Sequence, residues 1–169
     1  MNHSCITDAA IRSMLLLACW TIAGAAAAQH SCDASIGTSV AFGIYDATSG
    51  SASVATTNAS LTCTHLGGGA QKIDWDMQLT NGGSGSCAAR RMAGPGGDFL
   101  NYNIYVNNIA GGVWGNAGCG AFPSGQIQVT SGQPVQTATR TLFGQLPTGQ
   151  LNAGAGVYTD ALTLTITFN

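Results

Sequence analysis

Glutamate is absent from this chain, lysine occurs once (Lys72), and only 7% of its 169 residues are charged. All seven acids are aspartates, set against five bases, for a formal charge of −2. Coiled coils and helical bundles draw on sustained Glu, Lys and Leu periods, so neither fits. A nucleic-acid backbone is gripped by clustered Lys and Arg, which are missing here, so no nucleic-acid partner is expected. With 45% hydrophobic residues, disorder driven by charge is excluded as well. No segment sustains a 3.6-residue apolar period, and no internal repeat stands out. What the chain has in quantity is small residues: 24 glycines, with abundant Ser, Thr, Asn and Ala. That composition favours strands and turns.

The N-terminal segment reads as an export signal. Arg12 precedes the apolar run Met14–Ala23, which passes into small residues ending Ala26-x-Ala28, a pattern that signal peptidase accepts. The run is too short and too rich in Ala and Gly to span about 30 Å of hydrocarbon, so no stable membrane span is expected. Leu16-Leu17-Ala18-Cys19 superficially resembles a lipoprotein box, but the stretch beyond Cys19 stays apolar. The expected division is a signal peptide over residues 1–28 and one domain over 29–169, a length of 141 residues. A domain of that size buries about two-thirds of its unfolded surface.

Export sets the reading of the cysteines. Cys5 and Cys19 fall in the signal, leaving Cys32, Cys63, Cys87 and Cys119. Four cysteines in an oxidising compartment read as two disulfides, with three connectivities open. The sequential pairing, Cys32–Cys63 and Cys87–Cys119, is preferred; each bond closes a loop worth on the order of 3–4 kcal/mol.

Period-two alternation recurs along the domain. Leu162, Leu164, Ile166 and Phe168 alternate with Thr163, Thr165, Thr167 and Asn169, predicting a half-buried strand. Ile73, Trp75, Met77 and Leu79 repeat the pattern, as do Tyr102, Ile104 and Val106. Shorter strands are expected at Val40–Tyr45, Ala59–His65, Ile127–Val129 and Thr137–Phe143. Turn clusters separate them: Gly67–Gly69, Asn81–Gly83, Gly94–Gly97 and Asn152–Gly156. Such spacing predicts an all-β fold, a single antiparallel β-sandwich.

Candidate chemistry is thin. Asp74 and Asp76 share one strand face, as a carboxylate pair would, but that is the polar face, where Asp keeps a sheet surface wet. The glycine clusters lack the Lys-Ser/Thr of a phosphate loop. Gly83-Ser84-Gly85-Ser86 is no nucleophile elbow, since the motif and a neighbouring His are absent. His30-x-Cys32 and Cys63-x-His65 together form a Cys₂His₂ set suited to zinc, which a Cys32–Cys63 disulfide would dismantle. His30 also falls where a new N-terminus would fray. No enzymatic activity, metal or cofactor is expected.

Residues Cys32 to Asn169 resemble the spore coat protein U domain, found in secreted spore-coat proteins and in subunits of archaic chaperone–usher pili. The matching pieces are Phe42-Gly43-x-Tyr45-Asp46, Leu61-Thr62-Cys63-Thr64, Arg91-Met92 and Leu100-x-Tyr102-Asn103-Ile104-Tyr105. They continue with Val113-Trp114-Gly115, Phe143–Pro147 and Gly154-x-Gly156-x-Tyr158-x-Asp160. The resemblance implies an incomplete immunoglobulin-like sandwich lacking its last strand. A periplasmic chaperone, delivering to an outer-membrane usher, and then another pilus or coat subunit would supply the missing strand. The family's penultimate aromatic and its glycine fourteen from the end fall on Phe168 and Gly156. Gly156, Leu162, Leu164, Ile166 and Phe168 are thereby implied as the strand-accepting edge. The implied location is the periplasm in transit, then the cell surface, a pilus or the medium. Only Gln29-His30-Ser31 precede Cys32 after the expected cut, about 10 Å of chain, too short for a donor strand. The expectation is therefore a subunit that accepts a strand without giving one, as at a terminus or tip. The alternative is a self-contained secreted coat or binding protein that does not polymerise.

Overall fold

The computed structural model describes residues 29–169, so the expected signal segment, with Cys5 and Cys19, lies outside the described residues. Among the described residues nine strands follow one another: β1 (His30–Ile36), β2 (Ser53–His65), β3 (Gln71–Leu79), β4 (Gly85–Ser86), β5 (Ala89–Ala93), β6 (Phe99–Val106), β7 (Ser124–Val129), β8 (Val135–Leu146) and β9 (Leu164–Phe168). Every pairing between them is antiparallel, and the one helical piece among the described residues is a 3₁₀ turn at Pro95–Gly97.

The strands form two sheets, β1-β2-β8-β6-β5-β4 and β7-β3-β9. Their inner faces meet as a sandwich. Leu61 and Cys63 of β2, Ile104 of β6, and Leu142 and Leu146 of β8 pack from the larger sheet. Ile73, Trp75, Met77 and Leu79 of β3 and Ile127 and Val129 of β7 pack from the smaller. Trp114, in the connection between β6 and β7, is fully buried, and its indole N–H donates to Met77 O at 2.8 Å. This all-β sandwich is the architecture that the alternating pattern predicts.

Several elements differ from the expectation in extent. β2 and β8 are longer than their apolar cores, because each continues as a ladder with the other from Ser53↔Leu146 to Thr64↔Val135. β1 is a paired strand, and its first residue, His30, is held in the ladder where fraying was expected. All seven of its residues oppose β2, and a Cys32–Cys63 disulfide joins two directly opposed positions. The second disulfide links Cys87 to Cys119.

Val40–Tyr45 is not a strand. Its alternation is real, since Val40 and Phe42 are half-buried over Gly144 while Ala41, Gly43 and Ile44 are exposed. The segment nevertheless has no neighbouring strand among the described residues to complete a ladder. β5 carries no apolar alternation in the sequence because Arg90, not an apolar residue, takes an inward position there, fully buried on the same face as Met92. The next residue, Arg91, points out and lies over the Phe99 ring at 4.9 Å.

Candidate functional site

β3 and β9 carry matching apolar rows in register, Trp75↔Phe168, Met77↔Ile166 and Leu79↔Leu164. The β3 row is sealed, with Met77 at 0% exposure, because β7 and β9 flank it. The β9 row is not. Leu164 and Ile166 are half-buried, and Phe168 is 39% exposed. The edge of β9 away from β3 pairs with no strand among the described residues.

Beside that edge a cleft of about 510 Å³ opens between the two sheets. One lip is Leu162 and Leu164; the other is Ile36 at the end of β1 and the unpaired run through Val40 and Phe42. Core side chains, Leu79, Tyr102, Ile104 and Leu142, form the floor. A second cleft of about 710 Å³ shares Val40, Phe42, Met92 and Tyr158 with the first and runs on to Leu100, Leu146 and Gly156.

The wall leading into β9 is pinned by polar contacts. Tyr102 Oη donates to Asp160 Oδ2 at 2.6 Å, and Asp160 Oδ1 accepts the Gly83 and Ala161 N–H groups at 2.8 Å each. Burial, then the hydrogen bond to Asp160 and that residue's charge, hold the Tyr102 phenol well above the ordinary tyrosine range. Gly82 at φ +85° brings backbone against the same carboxylate: a Cβ there would meet Asp160 Oδ2 at 2.0 Å.

Behind the floor lies a fully buried guanidinium. Arg90 donates to Thr80 O (2.8 and 3.0 Å), Trp114 O (2.7 Å) and Asn103 Oδ1 (2.7 Å), all neutral acceptors. Asn103 Nδ2 in turn donates to Cys87 O and Ala88 O. Burial pushes the Arg90 pKa down. The network ties the end of β3, the Trp114 connection, β6 and the Cys87 disulfide into one unit.

Of the residues singled out in the sequence, Leu162 and Leu164 line the first cleft, and Ile166 and Phe168 continue the same row. Gly156 sits apart from β9, in the preceding loop. The space a side chain would need there is filled by Pro95, whose Cγ lies 2.4 Å from an ideal Cβ. Asp74 accepts from Gln126 and Asp76 from Gln78 on the outer face of β3. His30 and His65 oppose each other in register, with the neighbouring cysteines joined as a disulfide. Arg90, Tyr102, Asn103 and Asp160 were not assigned roles from the sequence. For Arg90 the signal was scarcity: in a chain this poor in charge, an arginine set among small and apolar residues needs partners if it is buried.

The profile of the Spore Coat Protein U domain matches residues 17–165. This chain belongs to that family. No curated protein matches it. Among solved structures it is similar to a chain of the chaperone–tip adhesin complex of CFA/I fimbriae biogenesis, at 14% identity and a TM-score of 0.40. That match covers 80% of this chain and 42% of the other, so the protein spans less than half the length of that relative. Within the spore coat U domain, no helix among the described residues is long and apolar enough to cross a membrane.

Proposed function

We propose that this spore coat U domain is an exported surface subunit, structural or adhesive, completed by an extended strand from another polypeptide. One observation carries the reading: β9 bears an apolar row like that of β3, yet it lies half-covered on a free edge beside an apolar cleft. A free strand edge presents unpaired N–H and C=O groups and invites uncontrolled pairing, which an added strand ends. An inserted strand would hydrogen-bond to β9 and place alternate side chains over Leu79, Ile104 and Leu142. The chemistry of such a partner is that of a periplasmic chaperone first and a neighbouring pilus or coat subunit later, with an outer-membrane usher between them. Residues 30–36 are committed to β2 by their ladder and by Cys32–Cys63, so the domain has no spare strand there to donate. Removal of residues 1–28 on export would then leave a strand acceptor alone, the part played by a terminal or tip subunit.

The test is periplasmic expression with the cognate chaperone, scored by what co-purifies. Ile166→Asp puts a charge into the half-covered row, at a cost of several kcal/mol once a strand buries it. It should abolish chaperone capture and surface delivery, while Thr165→Asp, on the outer face, should leave both intact. Equal capture and delivery of the two variants and the parent would refute strand acceptance.

A further inference from the structure

Beyond strand acceptance, the turn after β3 has an unassigned chemistry of its own. Asn81-Gly82 is the one Asn-Gly pair in the sequence. Asn81 is exposed, and among the described residues neither its side-chain amide nor the Gly82 N–H makes a hydrogen bond. The other asparagines in turns are encumbered. At Asn116 the following N–H donates to Gln78 Oε1 and the Asn116 side chain accepts from Gly118. The N–H after Asn107 donates to Val106 O, and the one after Asn152 donates to Gln150 O. Residue 82 also has no side chain to obstruct approach of its nitrogen to the Asn81 amide carbon.

We propose that Asn81-Gly82 is a self-modification site, at which the folded domain converts a neutral turn into an anionic one beside Asp160. The Gly82 nitrogen attacks Asn81 Cγ; an N–Cγ bond forms, the Cγ–Nδ2 bond breaks, and ammonia leaves carrying the proton from Gly82. Water then opens the resulting five-membered imide at either carbonyl, giving aspartate or isoaspartate at position 81. The formal charge of the chain goes from −2 to −3. The new carboxylate arises next to the residue pair that holds Asp160, because Gly82 packs on Oδ2 and the Gly83 N–H donates to Oδ1. Like charges at that range repel, and the isoaspartyl product also lengthens the backbone of the turn. Both effects weaken the Gly83-to-Asp160 hydrogen bond and loosen the wall that leads into β9.

The experiment incubates the folded, oxidised full domain in warm, mildly alkaline buffer, beside a reduced and denatured sample. Peptide mass mapping and isoaspartyl methyltransferase labelling then locate any conversion. Position 81 should convert in the folded protein at least about tenfold faster than Asn116 or Asn152, the factor that freeing one or two ordinary hydrogen bonds imposes. An acidic charge variant should accumulate in parallel and be lost in Asn81→Gln. Hydrogen exchange at the Gly83 and Ala161 amides should quicken in the converted fraction. Conversion confined to the denatured sample would overturn the proposal. Unchanged exchange at Gly83 and Ala161 after conversion would overturn its effect on the wall. Neither result bears on whether β9 accepts a strand, which Ile166→Asp tests separately.

Discussion

Tyr102 of β6 and Asp160, 58 residues further along the chain, share a 2.6 Å hydrogen bond at the side of the cleft. The phenol is the donor, so the contact exists while Tyr102 keeps its proton. An unfolded tyrosine loses its proton near pH 10, whereas the folded one holds it to higher pH. Above about pH 10 the unfolded chain therefore binds fewer protons than the native domain, and stability falls as pH rises further. Below that pH the contribution is fully present. Denaturant titrations across alkaline pH should show this decline, and Tyr102→Phe should flatten it. An equally steep decline in Tyr102→Phe would assign it to other groups.

Arg90 should be the costliest single residue to lose. Arg90→Met keeps much of the volume but strands Trp114 O in the interior and leaves Thr80 O without its donor, at about 1–3 kcal/mol for each orphaned acceptor, while Asn103 Oδ1 keeps the Ile104 N–H. The expected loss is on the order of 2–6 kcal/mol, measured by chemical denaturation of the oxidised domain. Arg91→Met, on the outside, should cost less than about 1 kcal/mol, the scale of an exposed cation over an aromatic ring.

Gly144 of β8 seats the unpaired lip of the cleft. A Cβ there would lie 2.6 Å from Val40 Cγ1 and 2.8 Å from Phe42 Cζ, so Gly144→Ala should lift that segment. Overpacking of this kind costs about 1–3 kcal/mol. Protease sensitivity around residues 40–45 should rise with it. Adding Val40→Ala should recover part of the loss, a coupling that a double-mutant cycle would read.

How far the sequence exposes this fold depends on what each pattern reports. Alternation reports which side chains are buried, and it located β3, β6 and the β9 row closely. It does not report hydrogen-bond partners, which is why Val40–Tyr45 alternates like a strand without being one. β5 is a strand without alternation for the opposite reason: Ala-Arg-Arg-Met-Ala shows no apolar period, because its inward arginine is satisfied by carbonyls brought from three other segments. The lips of the cleft at Leu162 and Leu164 were legible as an apolar row. Its polar fastening was not, since the Tyr102–Asp160 contact joins residues that only the folded topology brings together. The motif pieces that carry the family resemblance include Tyr102, Asn103, Trp114 and Asp160, the residues that fasten the cleft wall and the buried network.

Arg90 and Arg91 are adjacent, identical, and oppositely placed, one sealed among carbonyls and the other lying over Phe99 in the open. On a strand, a slip of one residue exchanges the two faces. Since both positions hold the same side chain, composition alone would not penalise such a slip of β5 against β6. What penalises it is the neighbour on the other side: Met92 would turn outward to solvent and the exposed Ala93 would take its place over the core. The Cys87 disulfide, three residues upstream of Arg90, fixes where the strand can begin and removes the remaining freedom. The twin arginines thus make β5 a strand whose alignment is set by its flanks, so shortening the Ala88–Ala89 connection by one residue should shift which arginine is buried before it unfolds the sheet.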